Sequence, residues 1–217
     1  MISRPRNTAR YAACFLFGIL AASSASALDT PQVARTKYDA LKAKAEQGDL
    51  NIDWQELRVA AAVAGVNGNY DWRTAAAEAV RELNGKYYKE ALAIGQQIVS
   101  HNYANADGHF LLIMLYGRLG MQKEADQEKL VVDKMAQSIL DSGNGLTPET
   151  AWFIVTLSEE SFMLRLLGMT QKSLEYVVQG GHAFDKVTAI DRSGKESTYW
   201  FSVDTGLQMS KRPPAEK

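Results

Sequence analysis

The sequence predicts an α+β protein, with tetratricopeptide-like helical hairpins first and a C-terminal antiparallel sheet of about four or five strands after them. Three observations predict it. Lys89-Glu90-Ala91 recurs as Lys123-Glu124-Ala125, 34 positions later, and each copy follows a glycine break, Gly85 or Gly120. A helix pair with its two turns uses about 34 residues. The stretch 110–116 is apolar almost without interruption, as expected of a helix enclosed by other helices. Beyond Gly145, turn-forming residues recur at roughly 8 to 13 positions, the rhythm of an antiparallel meander.

Residues 1–27 read as a signal peptide. Arg4, Arg6 and Arg10 form a positive start, 12–22 an apolar run, and Ala25-Ser26-Ala27 a small-residue cleavage site before Leu28. The run is about 11 residues, short of the ~20 that a spanning helix needs. Cys14 lies inside this segment, so a chain cut at Ala27/Leu28 has no disulfide and no thiol chemistry. The segment holds three of the 24 basic residues and none of the 25 acidic ones, so cleavage moves the net charge from −1 to −4. A mildly acidic surface argues against nucleic acid or an anionic membrane as partner. No other stretch has 18 consecutive apolar residues, so the mature chain is expected to lack a transmembrane segment and to be periplasmic or secreted.

The helical region is read over 28–141. Thr30-Pro31 has the pattern of an N-cap and first helical residue. The helix behind it carries Val33, Tyr38, Leu41 and Ala45 and ends near Gly48. A second helix begins around Asp53-Trp54, with Trp54, Leu57, Ala60 or Ala61, and Ala64 on one stripe. Asp71 is positioned to cap a third over 72–83. Over 86–100, Tyr88, Ala91, Leu92, Gly95 and Ile98 share one face, and Gly95 on it implies close approach by a neighbour. Helices over 105–119 and 122–140 follow, the latter with Val132, Met135, Ala136, Ile139 and Leu140 inward. Ser142-Gly143-Asn144-Gly145 reads as a linker, because a phosphate cradle needs a preceding strand and a following lysine.

The region 146–204 admits two readings. Thr147-Pro148-Glu149 could open a further helix, and Leu119-Gly120-Met121 recurs as Leu167-Gly168-Met169. Alternatively 152–157 is a strand, being dense in β-branched and aromatic residues, and a sheet follows. The sheet is favoured, with 149–179 open between strand and helix. Clearest are a strand over 184–191, a Ser-Gly turn and a strand over 198–203. Residues 205–217 read as a flexible tail.

The candidate ligand or partner contacts are His109, Glu159, Glu160, His182 and Asp185, taken as exposed polar residues near the helix-to-sheet junction. On a strand His182 and Asp185 point to opposite faces; on a helix they lie together. Glu159-Glu160 suggests paired carboxylates, but neighbours on a strand face apart. No nucleophile elbow or dinucleotide fingerprint occurs. No catalytic residue, metal set or cofactor is read from the sequence.

From Gly85 to Asp204 the chain resembles an uncharacterised family of secreted bacterial proteins, domain of unknown function 4919. The resemblance is carried by Tyr88 with Ala91-Leu92, by Asn102, Asp107 and His109, and by 142–145 with Glu149-Thr150-Ala151. It continues through Glu159-Glu160, Gly168, Gln171 and Leu174, then 181–185 and 199–204. Ser161-Phe162 stands where the family pattern has tyrosine, and Ser202 where it has asparagine. The resemblance implies a helical-repeat-like half followed by β structure, and no established activity. A non-catalytic module binding peptide or protein is expected; the alternative is a small hydrolase or metal-assisted enzyme using the same polar residues.

Overall fold

The protein is described by a computed structural model covering residues 29–206. The signal-peptide reading, its cleavage site and the tail beyond 206 lie outside the described residues. Six helices come first: α1 (Pro31–Glu46), α2 (Trp54–Val63), α3 (Trp72–Asn84), α4 (Tyr88–His101), α5 (Ala106–Arg118) and α6 (Gln122–Leu140). A 3-10 turn (Pro148–Thr150), a two-residue strand β1 (Trp152–Phe153) and helix α7 (Leu157–Leu166) follow. Strands β2 (Thr170–Gln179), β3 (His182–Ile190) and β4 (Glu196–Ser202) complete an α+β fold.

The expected caps Thr30 and Asp71 are present, and Asp53 and Asn105 act likewise: each accepts a backbone N–H in the first turn of its helix with a side-chain oxygen, satisfying donors that a helix start leaves free. Gly95 does admit a neighbour: a Cβ there would stand 2.9 Å from Leu112 Cδ2 of α5. Helices α3 to α6 pack in sequence order, but α2 packs against α6. One large core therefore joins Tyr38, Trp54 and Leu57 to Val132, Met135 and Ile139, and these to Phe162, Val187 and Phe201. A smaller core holds Ala79, Ala91, Ile98, Leu111 and Leu115.

Three expectations are corrected. First, the sheet is mixed: its order is β1-β4-β3-β2, with β1 parallel to β4 and the other pairs antiparallel. Second, 152–157 is not one strand. Only Trp152 and Phe153 pair, against Phe201 and Ser202. Thr156 then stands at the N-cap position of α7 without a side-chain cap hydrogen bond, and Glu159 in the first turn accepts the Val155 N–H, one residue before the cap, at 2.7 Å. Third, the apolar helix at 110–116 is not enclosed all round, since Phe110 and Met114 are 37% and 40% exposed. Val33 and Leu140, expected inside, are also exposed.

The hairpin between β2 and β3 closes on Gln179 and His182 through Gly180-Gly181, both at positive φ. A two-residue turn of this hand suits the twist of the strands and favours glycine at both positions. The 142–145 segment is packed rather than a passive linker. Trp152 Nε1 donates to the Gly143 carbonyl, and the Trp200 N–H to the Gly145 carbonyl, at 3.0 and 2.8 Å. A Cβ on Gly143 would lie 2.2 Å from the Thr150 carbonyl oxygen. Gly143→Ala is therefore expected to cost about 1–3 kcal/mol in urea unfolding. Gly117→Ala, where a Cβ meets nothing within 4 Å, should gain about 0.5–1 kcal/mol. Equal effects of the two would contradict the packing described.

Candidate functional site

The candidate site is a cleft where the loop after α2, the start of α3 and the N-termini of α5 and α7 meet. Its polar part is a cavity of about 450 Å³ whose wall includes Arg58, Asn67, Asn102, Asn105, Asp107 and Glu159. A second hollow of about 550 Å³ lies between α3, α5 and α7, lined by Val80, Phe110, Met114 and Leu157 among others. The two share Trp72, Asp107 and Ser158, so an amide-rich pocket runs directly into an apolar trough.

The pocket is supported by a buried ion pair. Arg58 is 2% exposed and Glu159 7%. Arg58 Nη1 donates to Glu159 Oε2 at 2.8 Å, and Nε to Ser138 Oγ of α6 at 3.0 Å. Arg58 reaches this place because it stands one turn beyond Trp54 on the inward face of α2. At the mouth, Arg165 pairs with Asp107, whose carboxyl is raised by burial against the lowering effect of Arg165. Arg73 lines the apolar hollow as well, so among the described residues the two pairs leave one further cation at the cleft. Its amides are not all used. Asn102 and Asn105 spend their carbonyl oxygens on the Ala104 and Gly108 N–H groups, which leaves their NH₂ donors available. Asn67 Oδ1 is buried without a hydrogen-bond partner among the described residues.

The five residues singled out from the sequence pair off separately, and four of them are buried rather than exposed. Glu159 alone lines this cleft. Its neighbour Glu160, 3% exposed, lies close to Asp185 on the core face of β3, and its Oε2 is buried without a hydrogen-bond partner among the described residues. Burial first, and then the Asp185 charge, lift the Glu160 carboxyl from 4.5 to about 7. Burial raises Asp185 too, opposed by the hydrogen bond from Glu160. His182 stands exposed on the opposite face of β3, as the strand period requires, and its Nδ1 meets Asp204 at 2.6 Å.

His109 is 1% exposed. Its Nε2 faces the Tyr103 carbonyl at 2.8 Å and its Nδ1 faces Glu128 at 2.5 Å. Both nitrogens thus face acceptors: Nδ1 holds α5 to α6, and Nε2 holds it to the loop that precedes it. Among the described residues no group of three or more His, Cys, Asp and Glu is placed to hold a metal ion.

Sequence reasoning missed Arg58, Asn67 and Glu128. Arg58 had a signal, being a charge on an otherwise apolar stripe with Trp54, Leu57 and Ala61. Asn67 had none, because it is one of two asparagines in a glycine-rich loop and nothing local marks it as buried.

Removing one member of a buried pair leaves the other uncompensated, so Arg58→Met should cost about 3–5 kcal/mol. Arg58→Met with Glu159→Met should recover most of it; a double variant as unstable as the single one would contradict the pair's role. The stability held by the Glu160 proton is fully present below 4.5 and lost as pH rises through about 7. Thermal unfolding between about pH 5 and about pH 8 should show the wild type weakening and Glu160→Gln nearly level.

The family model described as Domain of unknown function (DUF4919) matches residues 73–212, well over half of the chain, and the chain belongs to that family. Neither a curated protein nor a solved structure matches it.

Proposed function

We propose that this DUF4919 protein is a non-catalytic binding module, acting in the periplasm or outside the cell after removal of residues 1–27, whose cleft takes an extended peptide segment. The observation that carries the reading is the continuity of the amide pocket with the apolar trough. An extended backbone presents a carbonyl and an N–H at each residue. The NH₂ donors of Asn102 and Asn105 suit the carbonyls. An apolar side chain of the same segment then covers Phe110, Met114, Val80 and Leu157, which are 37%, 40%, 41% and 64% exposed. Such grooves are a common use of tetratricopeptide-like helix stacks, which present side chains from successive helices.

Fluorescence anisotropy with labelled octapeptides that alternate serine with either leucine or serine tests this. The leucine-bearing set should bind. Phe110→Ser with Met114→Ser should weaken binding by about tenfold to a hundredfold, since each apolar side chain covered is worth about 1.5–3 kcal/mol at most. Equal binding of the all-serine set, or an unchanged affinity in the double variant, overturns the reading.

A further inference from the structure

A separate hollow of about 540 Å³ lies between the C-terminal end of α1 and helices α4, α5 and α6, and it shares no lining residue with the cleft above. Its lining contains Glu46 and Glu128 and no lysine, arginine or histidine. Helices α1 and α4 both end beside it, at Glu46 and His101, and a helix C-terminus carries partial negative charge. Two tyrosines complete the walls. Tyr116 Oη accepts from Gln96 at 3.2 Å. Tyr103 is 7% exposed, yet its hydroxyl has no hydrogen-bond partner among the described residues. Burial first, then the charges of Glu128 and Glu46, hold the proton on that hydroxyl, which places the phenol in the field of both carboxylates.

The charged and dipolar groups of the hollow therefore favour a cation, with Glu128 already facing His109 Nδ1 at 2.5 Å and Glu46 the carboxylate less firmly held. Its size, and the lack of any three-ligand group among the described residues, do not suit a bare metal ion. Val99, Leu112, Leu130 and Val131 add apolar wall on which an alkyl stem can lie. Glu46 also pairs with Lys42 at 2.9 Å, but their side chains are 48% and 25% exposed, and such surface pairs yield readily to a competitor. We propose that this hollow binds a primary alkylammonium group, with Glu46 and the Tyr103 hydroxyl at the nitrogen, the His109-paired Glu128 behind them, and the alkyl stem along Leu112 and Leu130. The source is either a free amine or a lysine side chain of another protein.

Isothermal titration calorimetry on the folded chain tests this with n-butylammonium, 1-butanol, tetramethylammonium and a blocked Ala-Lys-Ala tripeptide. Butylammonium should bind and 1-butanol should not. Glu46→Gln and Tyr103→Phe leave the His109–Glu128 pair and the ring packing in place. Each should weaken butylammonium by about threefold to tenfold, the worth of one hydrogen bond, with an unchanged melting temperature. A tripeptide tighter than butylammonium assigns the source to protein lysines; a weaker one assigns it to free amines. The proposal is overturned if butylammonium does not bind or 1-butanol binds equally. It is likewise overturned if tetramethylammonium binds more tightly than butylammonium, or if both variants keep wild-type affinity.

Discussion

The contact between Arg58 and Glu159 ties together, by charge, three parts of the chain that otherwise meet only through the apolar core. Arg58 comes from the first helical hairpin, Ser138 beneath it from α6, and Glu159 from the first turn of α7. Glu159 also takes the Val155 N–H, so the same carboxylate fixes the turn between β1 and α7. Burying two charges is expensive unless each is matched. Here every donor and acceptor used has a partner on a different element, so the match exists only when the hairpin, α6 and α7 are all in place. The groove wall is built on this arrangement.

Two other carboxylate sites meet the same problem differently. Glu128, which is only partly exposed, meets an imidazole that also faces a backbone carbonyl. Glu160 and Asp185 lie together on the inner side of the sheet, and burial first, then the Asp185 charge, raises the Glu160 carboxyl to about 7. The protein thus keeps an ion pair, an imidazole–carboxylate contact and a pair of carboxyl groups inside one fold, the last lowering its charge by holding a proton on Glu160.

Much of the helical layer was legible in the sequence because its signals are local. Thr30 and Asp71 cap where their spacing indicates, and α6 runs over 122–140 as its apolar period requires. The strand pair on either side of the Ser193-Gly194 turn was legible for the same reason. The stretch around α7 was not. Its β-branched and aromatic run is real, but Thr156 and Glu159 set a helix start only three residues past the pairing strand, and the β-rich composition masks that signal. Exposure was misjudged where it depends on which neighbour arrives. Phe110 and Met114 look like core in any periodicity count, yet no helix covers them. His109, Glu159, Glu160 and Asp185 look like surface by type and are buried because each has a distant partner, at separations no local pattern reveals. The family resemblance read over 85–204 agrees with the match over 73–212.

The parallel pairing of β1 with β4 bears on the order of assembly. Between these neighbours in the sheet the chain inserts α7, β2 and β3. A chain emerging N-terminus first can settle its helices from contacts already at hand, but Trp152 must wait for Phe201 and Trp200 before its strand has a partner and the 145 carbonyl has its donor. Non-local pairings of this kind are made late. Synthesis of the last strand is accordingly the event that lets the C-terminal half close.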